Sequence, residues 1–208
     1  MTDTRPQKNY GGLGLPLLLT AIGLYLLDQI TKWAIVLNFH PPVRYVVDGK
    51  TYGQMDQTPV LDGFLNIVRV HNTGVAFGFG NGTAWSTYVF LAIPIIAIIV
   101  ILRFFKKGIV FTTPLTRLCG ALILTGVLGN LTDRLVQGFL LPGAEHLGFW
   151  ANLARGYVVD FIDVTVPFTQ YHWPSFNVAD SCISIAAVLL FFICMKKPEE
   201  QKQPADGK

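Results

Sequence analysis

The residues of this chain best suited to chemistry are four aspartates, Asp133, Asp160, Asp163 and Asp180. Asp160 and Asp163 lie in Val158-Val-Asp-Phe-Ile-Asp-Val164, and Asp180 follows Phe176-Asn-Val-Ala179. Directly after Asp180 comes the apolar run Cys182 to Ile193, and Asp133 closes another, Leu118 to Leu131. A carboxylate at the mouth of such a run sits where hydrocarbon meets water, and acids gathered there are costly to keep without a use. Two carboxylates close together in a low dielectric cannot both ionise easily, so one keeps its proton while the other serves as a base. Asp160 and Asp180 are the expected pair, and such a pair suits the activation of water against a peptide bond.

Other routes to hydrolysis find little support. No serine has a nearby histidine, no cysteine is accompanied by one, and no two histidines stand at metal-binding spacing. His40, His71, His146 and His172 are scattered and read as polar surface or interface residues. Cys119, Cys182 and Cys194 all lie in apolar runs, where a free thiol is a small buried hydrophobe.

The elements that must position the acids are membrane spans. The chain has 208 residues, 51% hydrophobic and only 14% charged, with a mean hydropathy of +0.46. Soluble domains carry about 25% charged residues, so composition alone points to a membrane protein. Apolar runs predict four spans, at about 13–37, 85–102, 118–131 and 178–195, within one domain over 13–195. Polar tails flank it at 1–12 and 196–208, and no small-residue cleavage site follows the first run, which therefore reads as retained.

Asp28 and Lys32 fall on one face of the first span at i, i+4, as either a structural or a functional pair. Residues 38–84 carry strand and turn signals: Arg44-Tyr-Val-Val, Asp48-Gly49, and the alternating Leu65-Asn-Ile-Val-Arg-Val70. A loop rich in glycine, His71 to Gly80, follows. With four spans, the tails and the Arg103–Arg117 turn share ten Lys and Arg residues, against five on the other side. The bias predicts cytoplasmic N- and C-termini and outward-facing acids.

At this point five motif blocks converge. Asp28-Gln-Ile-Thr-Lys32, Asn72-Thr-Gly-Val-Ala-Phe-Gly78, Gly129-Asn-Leu-Thr-Asp-Arg134, Val158-Val-Asp-Phe161 and Phe176-Asn-Val-Ala-Asp180 together resemble the lipoprotein signal peptidases, or signal peptidase II. The resemblance covers nearly all of the chain except the tails. It implies an aspartic endopeptidase of the bacterial inner membrane, with its active site at the extracytoplasmic face and Asp160 and Asp180 as the catalytic pair. Asn130, Asp133, Arg134 and Asn177 would support and polarise that site, while Asp28, Asn72 and Gly74 would line a substrate and inhibitor pocket; Lys32 joins the supporting group. The implied substrate is a prolipoprotein bearing a diacylglyceryl cysteine, cut just before that cysteine, with globomycin as an inhibitor. Neither a metal nor an organic cofactor is implied, and nucleic acid is not a partner; membrane lipid is. The implied fold is an all-α membrane protein, four transmembrane helices with a small extracytoplasmic β-cradle.

One stretch departs from the family. Gln137 to Tyr157 makes a longer connection than usual between the Asp-Arg and Val-Val-Asp blocks. Leu147, Phe149, Trp150 and Leu153 suit either a segment dipping into the membrane interface or a simple surface loop. Two other functions use the same acids. A proton-conducting transporter could relay through Asp28 and Lys32, although no inverted repeat or broken-helix pair is present. A metal-dependent phosphatase of lipid phosphates could bind its ion at Asp160 and Asp163, although no phosphate-binding motif rich in Arg or Lys accompanies them.

Overall fold

The computed structural model describes residues 13–48, 50–74, 84–169 and 171–195. Four helices in it are long and apolar enough to cross a membrane: α1 (Leu15–Asn38), α2 (Ala84–Lys107), α3 (Pro114–Val136) and α5 (Val178–Met195). A short α4 (Phe149–Ala154) lies between α3 and the final strands, after two 3-10 turns at Gln137–Leu140 and Ala144–His146. α3 is the hub, packing against α1, α2 and α5. Its buried face includes Gly126 and Gly129, where an added Cβ would collide with the carbonyl of Ala179 and the carboxylate of Asp28. Small residues are what let helices approach this closely in a membrane.

α1 shows the inversion expected of a lipid-facing helix. Its buried residues are Asp28, Lys32 and Ile35, one stripe at i, i+4 and i+7, while Leu19, Ile22, Leu26 and Ile30 face outward. Lipid solvates the leucines and isoleucines, so the polar groups turn inward to find partners.

The chain is not strictly all-α, which corrects the fold class expected from the sequence. Among the described residues six strands form two antiparallel sheets. β1 (Val43–Val47) and β2 (Lys50–Gln54) make a hairpin, in which Asp48 adopts a φ of 50° as a two-residue turn requires; Gly49 lies outside the described residues. β3 (Gln57–Leu61), β4 (Leu65–Asn72), β5 (Val158–Thr165) and β6 (His172–Phe176) form the second sheet in that order. The β4–β5 pairing joins the two strand-bearing connections, α1 to α2 and α3 to α5, and sets Val70 opposite Asp160. Both connections therefore gather at one end of the four helices.

Two helices outrun the apolar runs that predict them. The sequence places the third span at about 118–131, whereas α3 runs from Pro114 to Val136. Thr113 caps it through a reciprocal bond pair with Thr116, and Arg117 and Asp133 are buried inside it. Charge marks the end of an apolar run, but a charge with partners does not end a helix.

Candidate active site

Asp160 and Asp180 come from different elements, the middle of β5 and the first turn of α5. Two asparagine amides lace them together. Asn177 Nδ2 donates to Asp160 Oδ1 at 2.7 Å and to Asn130 Oδ1 at 3.2 Å, while Asn130 Nδ2 donates to Asp180 Oδ1 at 2.7 Å. Asp160 Oδ2 accepts from Asn72 Nδ2 at 2.8 Å. Asp180 Oδ2 accepts from the backbone N–H of Asn177 at 3.2 Å, and the Asn177 side chain returns a cap to the N–H of Asp180 at 2.9 Å. Asn177 thus starts α5 and fixes the orientation of both carboxylates, as an N-cap asparagine can.

Beneath the pair lies a buried ion cluster. Lys32 is fully buried, and its Nζ lies 2.9 Å from Asp28 Oδ2, 3.1 Å from Asp133 Oδ2 and 3.0 Å from Asn130 Oδ1. An ammonium has three N–H donors, and all three are used. Each acid then reaches onward. Asp133 Oδ2 accepts from the N–H of Val159 at 3.0 Å, one residue before Asp160. Asp28 Oδ1 accepts from the N–H of Ala179 at 2.8 Å, one residue before Asp180. Lys32 therefore ties together the two backbone segments that present the pair.

Asp160 is only 1% exposed. Burial, and then the neighbouring charge of Asp180, push its pKa up to about 7, with the hydrogen bonds from Asn72 and Asn177 and the Lys32 charge pulling the other way. An acid so placed keeps its proton well into the neutral range.

The remaining predicted residues sit as follows. Arg134 donates from Nη1 to the carbonyl of Asn130 at 3.3 Å, and its guanidinium lies 6.0 Å from the centre of the Phe90 ring. Its Nε is buried with no partner among the described residues. Gly74, at φ +86°, donates its N–H to Asn72 Oδ1 at 2.8 Å, and Phe90 fills the space where a Cβ would stand. Val75 to Gly78 of the same motif lie outside the described residues. Asp28 is sealed under Ala179 and Gly129 with no exposed surface. Asp163 stands apart from the pair, held by Asn66 Nδ2 at 3.0 Å and beside His172 Nδ1 at 3.2 Å.

Sequence reasoning missed several partners. Gln29 donates to Asp28 Oδ2 at 3.1 Å and to the carbonyl of Gly129 at 3.2 Å; a second polar residue inside an apolar run was the available signal. Arg69 donates to the carbonyls of Val36 and Phe39 at 3.0 and 2.7 Å, to His71 Nε2 at 3.1 Å and to Tyr157 Oη at 3.4 Å. It ties β4 to the C-terminal end of α1, one turn beyond the Lys32 cluster. Nothing in the sequence distinguishes Arg69 from an ordinary loop charge. Beside it, His71 stacks on Tyr157 at 3.7 Å, and burial lowers its pKa to about 3.

The model of the signal peptidase (SPase) II family matches residues 20–196. This chain belongs to that family. A lipoprotein signal peptidase of Burkholderia thailandensis is 35% identical over 187 residues, covering 89% of this chain and 91% of the relative. One from Syntrophus aciditrophicus is 32% identical over 190 residues, covering 88% and 94%. A bacterial membrane enzyme solved in meso at 2.3 Å superposes with a TM-score of 0.64 at 27% identity, over 93% of this chain and 98% of the other. This signal peptidase II family member is thus a multi-pass membrane peptidase of the aspartic type, acting on prolipoproteins.

Proposed function

We propose that Asp160 and Asp180 are the catalytic pair of this signal peptidase II, and that Asp160 carries the shared proton. The observation that supports it is the lacing of both carboxylates by Asn130 and Asn177, with burial and the Asp180 charge raising the pKa of Asp160. Asp180, in the first turn of α5 with two N–H donors on its oxygens, takes a proton from water as that water attacks the scissile carbonyl carbon. Asp160 gives its proton to the carbonyl oxygen, forming a neutral tetrahedral diol. Collapse of the diol breaks the C–N bond: its proton returns to Asp160 as the carbonyl re-forms, and Asp180 passes its proton to the leaving amine. The products are a carboxyl terminus and a new N-terminal cysteine.

Arg134, which follows Asp133 at the end of α3, polarises the substrate carbonyl, and Asn72 faces the substrate from β4. Lys32, Asp28 and Asp133 hold the separation of the two aspartates. The substrate is a precursor whose cysteine already bears diacylglycerol, and globomycin competes for the same place. A cleft of about 570 Å³ between the β1–β2 hairpin and β4, bounded by Pro42, Gln54, Met55 and His71, suits the peptide beyond the lipidated cysteine. Both termini are cytoplasmic in this reading, which places the sheets and the site on the extracytoplasmic side of the inner membrane. Asp160→Asn and Asp180→Asn should each abolish cleavage of a lipid-modified precursor by purified enzyme, with helix content by circular dichroism unchanged. Turnover within tenfold of wild type in either variant would remove that residue from the pair.

A further inference from the structure

No step of that hydrolysis uses the segment between α3 and β5, yet it displays a large part of the aromatic surface outside the spans. Phe149 and Trp150, at the start of α4, are 60% and 67% exposed. Their rings meet edge to face at 5.2 Å, and Phe139 joins Phe149 at 5.4 Å. Leu147 and Leu140 in the same segment, and Leu135 and Val136 at the end of α3, are exposed as well. Phe139 belongs to the span-length stretch Pro114–Leu140, so its ring contact with Phe149 joins the end of that span to α4.

The patch is held in place. Leu153, expected at the interface or in a surface loop, is instead buried against Leu91 of α2, Leu131 of α3 and Phe139. Asn152 Nδ2 ties the carbonyls of Ala144 and Leu147 at 2.9 and 3.4 Å. Gly138 and Gly156 lie so close to the carbonyls of Asn152 and Arg134 that neither position has room for a Cβ. α4 is fixed to the helix that carries Arg134. Exposed polar side chains are near at hand, Glu145 and His146 in the preceding turn.

We propose that Phe149 and Trp150 form a fixed aromatic foot seated in the headgroup boundary of the bilayer, with membrane lipid as its partner. Trp is favoured at that depth because one edge of its ring is apolar and the other carries an N–H. α4 turns Phe149 and Trp150 outward while burying Asn152 and Leu153. Contact with Phe139, at the end of a membrane-length span, selects lipid over a second protein. The foot sets the depth of α3 and of Arg134 in the membrane. The inference rests on the chain crossing a membrane and not on the roles of the aspartates.

The test uses the full-length enzyme in phosphatidylcholine vesicles whose acyl chains are brominated near the headgroup. Subtracting the emission of Trp150→Phe from that of wild type isolates Trp150, and the substitution keeps an aromatic ring so that the fold is retained. The expected result is at least twofold quenching of that difference by bromolipid, with little response to aqueous acrylamide. Quenching by acrylamide alone would place the foot in water and overturn the proposal. Protection from both quenchers would mean that a protein surface covers it, which overturns it as well. Prolipoprotein cleavage by the same samples reads out the peptidase assignment separately.

Discussion

Two buried cations brace this molecule where helices meet sheet, and they bind in different ways. Lys32 brings a compact charge to two carboxylates and one amide, spending one donor on Asp28 of its own helix and two on Asn130 and Asp133 of α3. Arg69 brings a planar fork to neutral acceptors, chiefly the carbonyls of Val36 and Phe39 at the C-terminal end of α1. There the helix dipole adds to the attraction. The lysine cluster is a point from which Asp28 and Asp133 radiate to the backbones before Asp180 and Asp160. The arginine is a strut between one helix and one strand. Charge sets the geometry of the pair in the first, and directional hydrogen bonding holds the sheet against the bundle in the second.

Lys32→Met breaks the first brace and should have the largest effect. It leaves Asp28 and Asp133 without their cation, and removing one partner of a buried ion pair costs about 3–5 kcal/mol. The expected outcome is loss of detectable cleavage together with a large fall in the thermal unfolding temperature in detergent. A stable, active Lys32→Met enzyme would mean that the acids need no cation to hold β5 and α5.

Titration sharpens the comparison, because the two regions respond in opposite directions. Asp160 has its pKa raised to about 7, so the folded state holds a proton that the unfolded chain gives up near 4. That contribution to stability is complete below the unfolded value and is lost as pH rises through 7. His71, beside Arg69, has its pKa lowered to about 3; its contribution is present above the unfolded value of about 6.5 and is lost as pH falls toward 3. The kcat/KM profile should fall on its alkaline side with a midpoint near 7, approaching about tenfold per pH unit beyond it. A profile flat to pH 9 would show that the proton on Asp160 is not needed.

Arg69→Lys breaks the second brace at smaller cost. One ammonium cannot replace a fork that reaches two carbonyls, a ring nitrogen and a hydroxyl, and an orphaned acceptor costs about 1–3 kcal/mol. Unfolding temperature should drop while turnover by the folded fraction is retained; an equal loss of turnover would join the strut to the chemistry. The smallest effect belongs to Asp163→Asn, which keeps an acceptor for Asn66 and touches neither brace. Cleavage should stay within about twofold of wild type, because Asp163 shares no partner with Asp160 or Asp180.

What the sequence made legible follows from these physical differences. Long apolar runs and acids at their ends are local signals, so the four spans and the residues beside them could be read directly. Asp160 and Asp180 stood out because a carboxylate beside hydrocarbon is rare. The ends of α2 and α3 were hidden, since a partnered charge looks the same in sequence as one that ends a helix. Arg69, Tyr157 and Gln137 were hidden for a related reason. Their partners lie far away in the chain: Tyr157 donates to Gln137, and Arg69 reaches back to α1. The close packing of Asp28 against Gly129 and Ala179 is likewise a long-range contact that no local pattern announces.

The hydrogen bond from Ala179 to Asp28 joins positions 151 residues apart. During synthesis α1, α2 and α3 enter the membrane while α5 is still in the ribosome. Until α5 arrives, Asp28 lacks its backbone donor, and Asn130 has neither Asp180 nor Asn177 to engage. The last helix to be inserted is thus the one that delivers the second acid and its N-cap together. On the proposed assignment of the pair, a chain that ends before α5 carries Asp160 without Asp180 and is therefore an inactive peptidase.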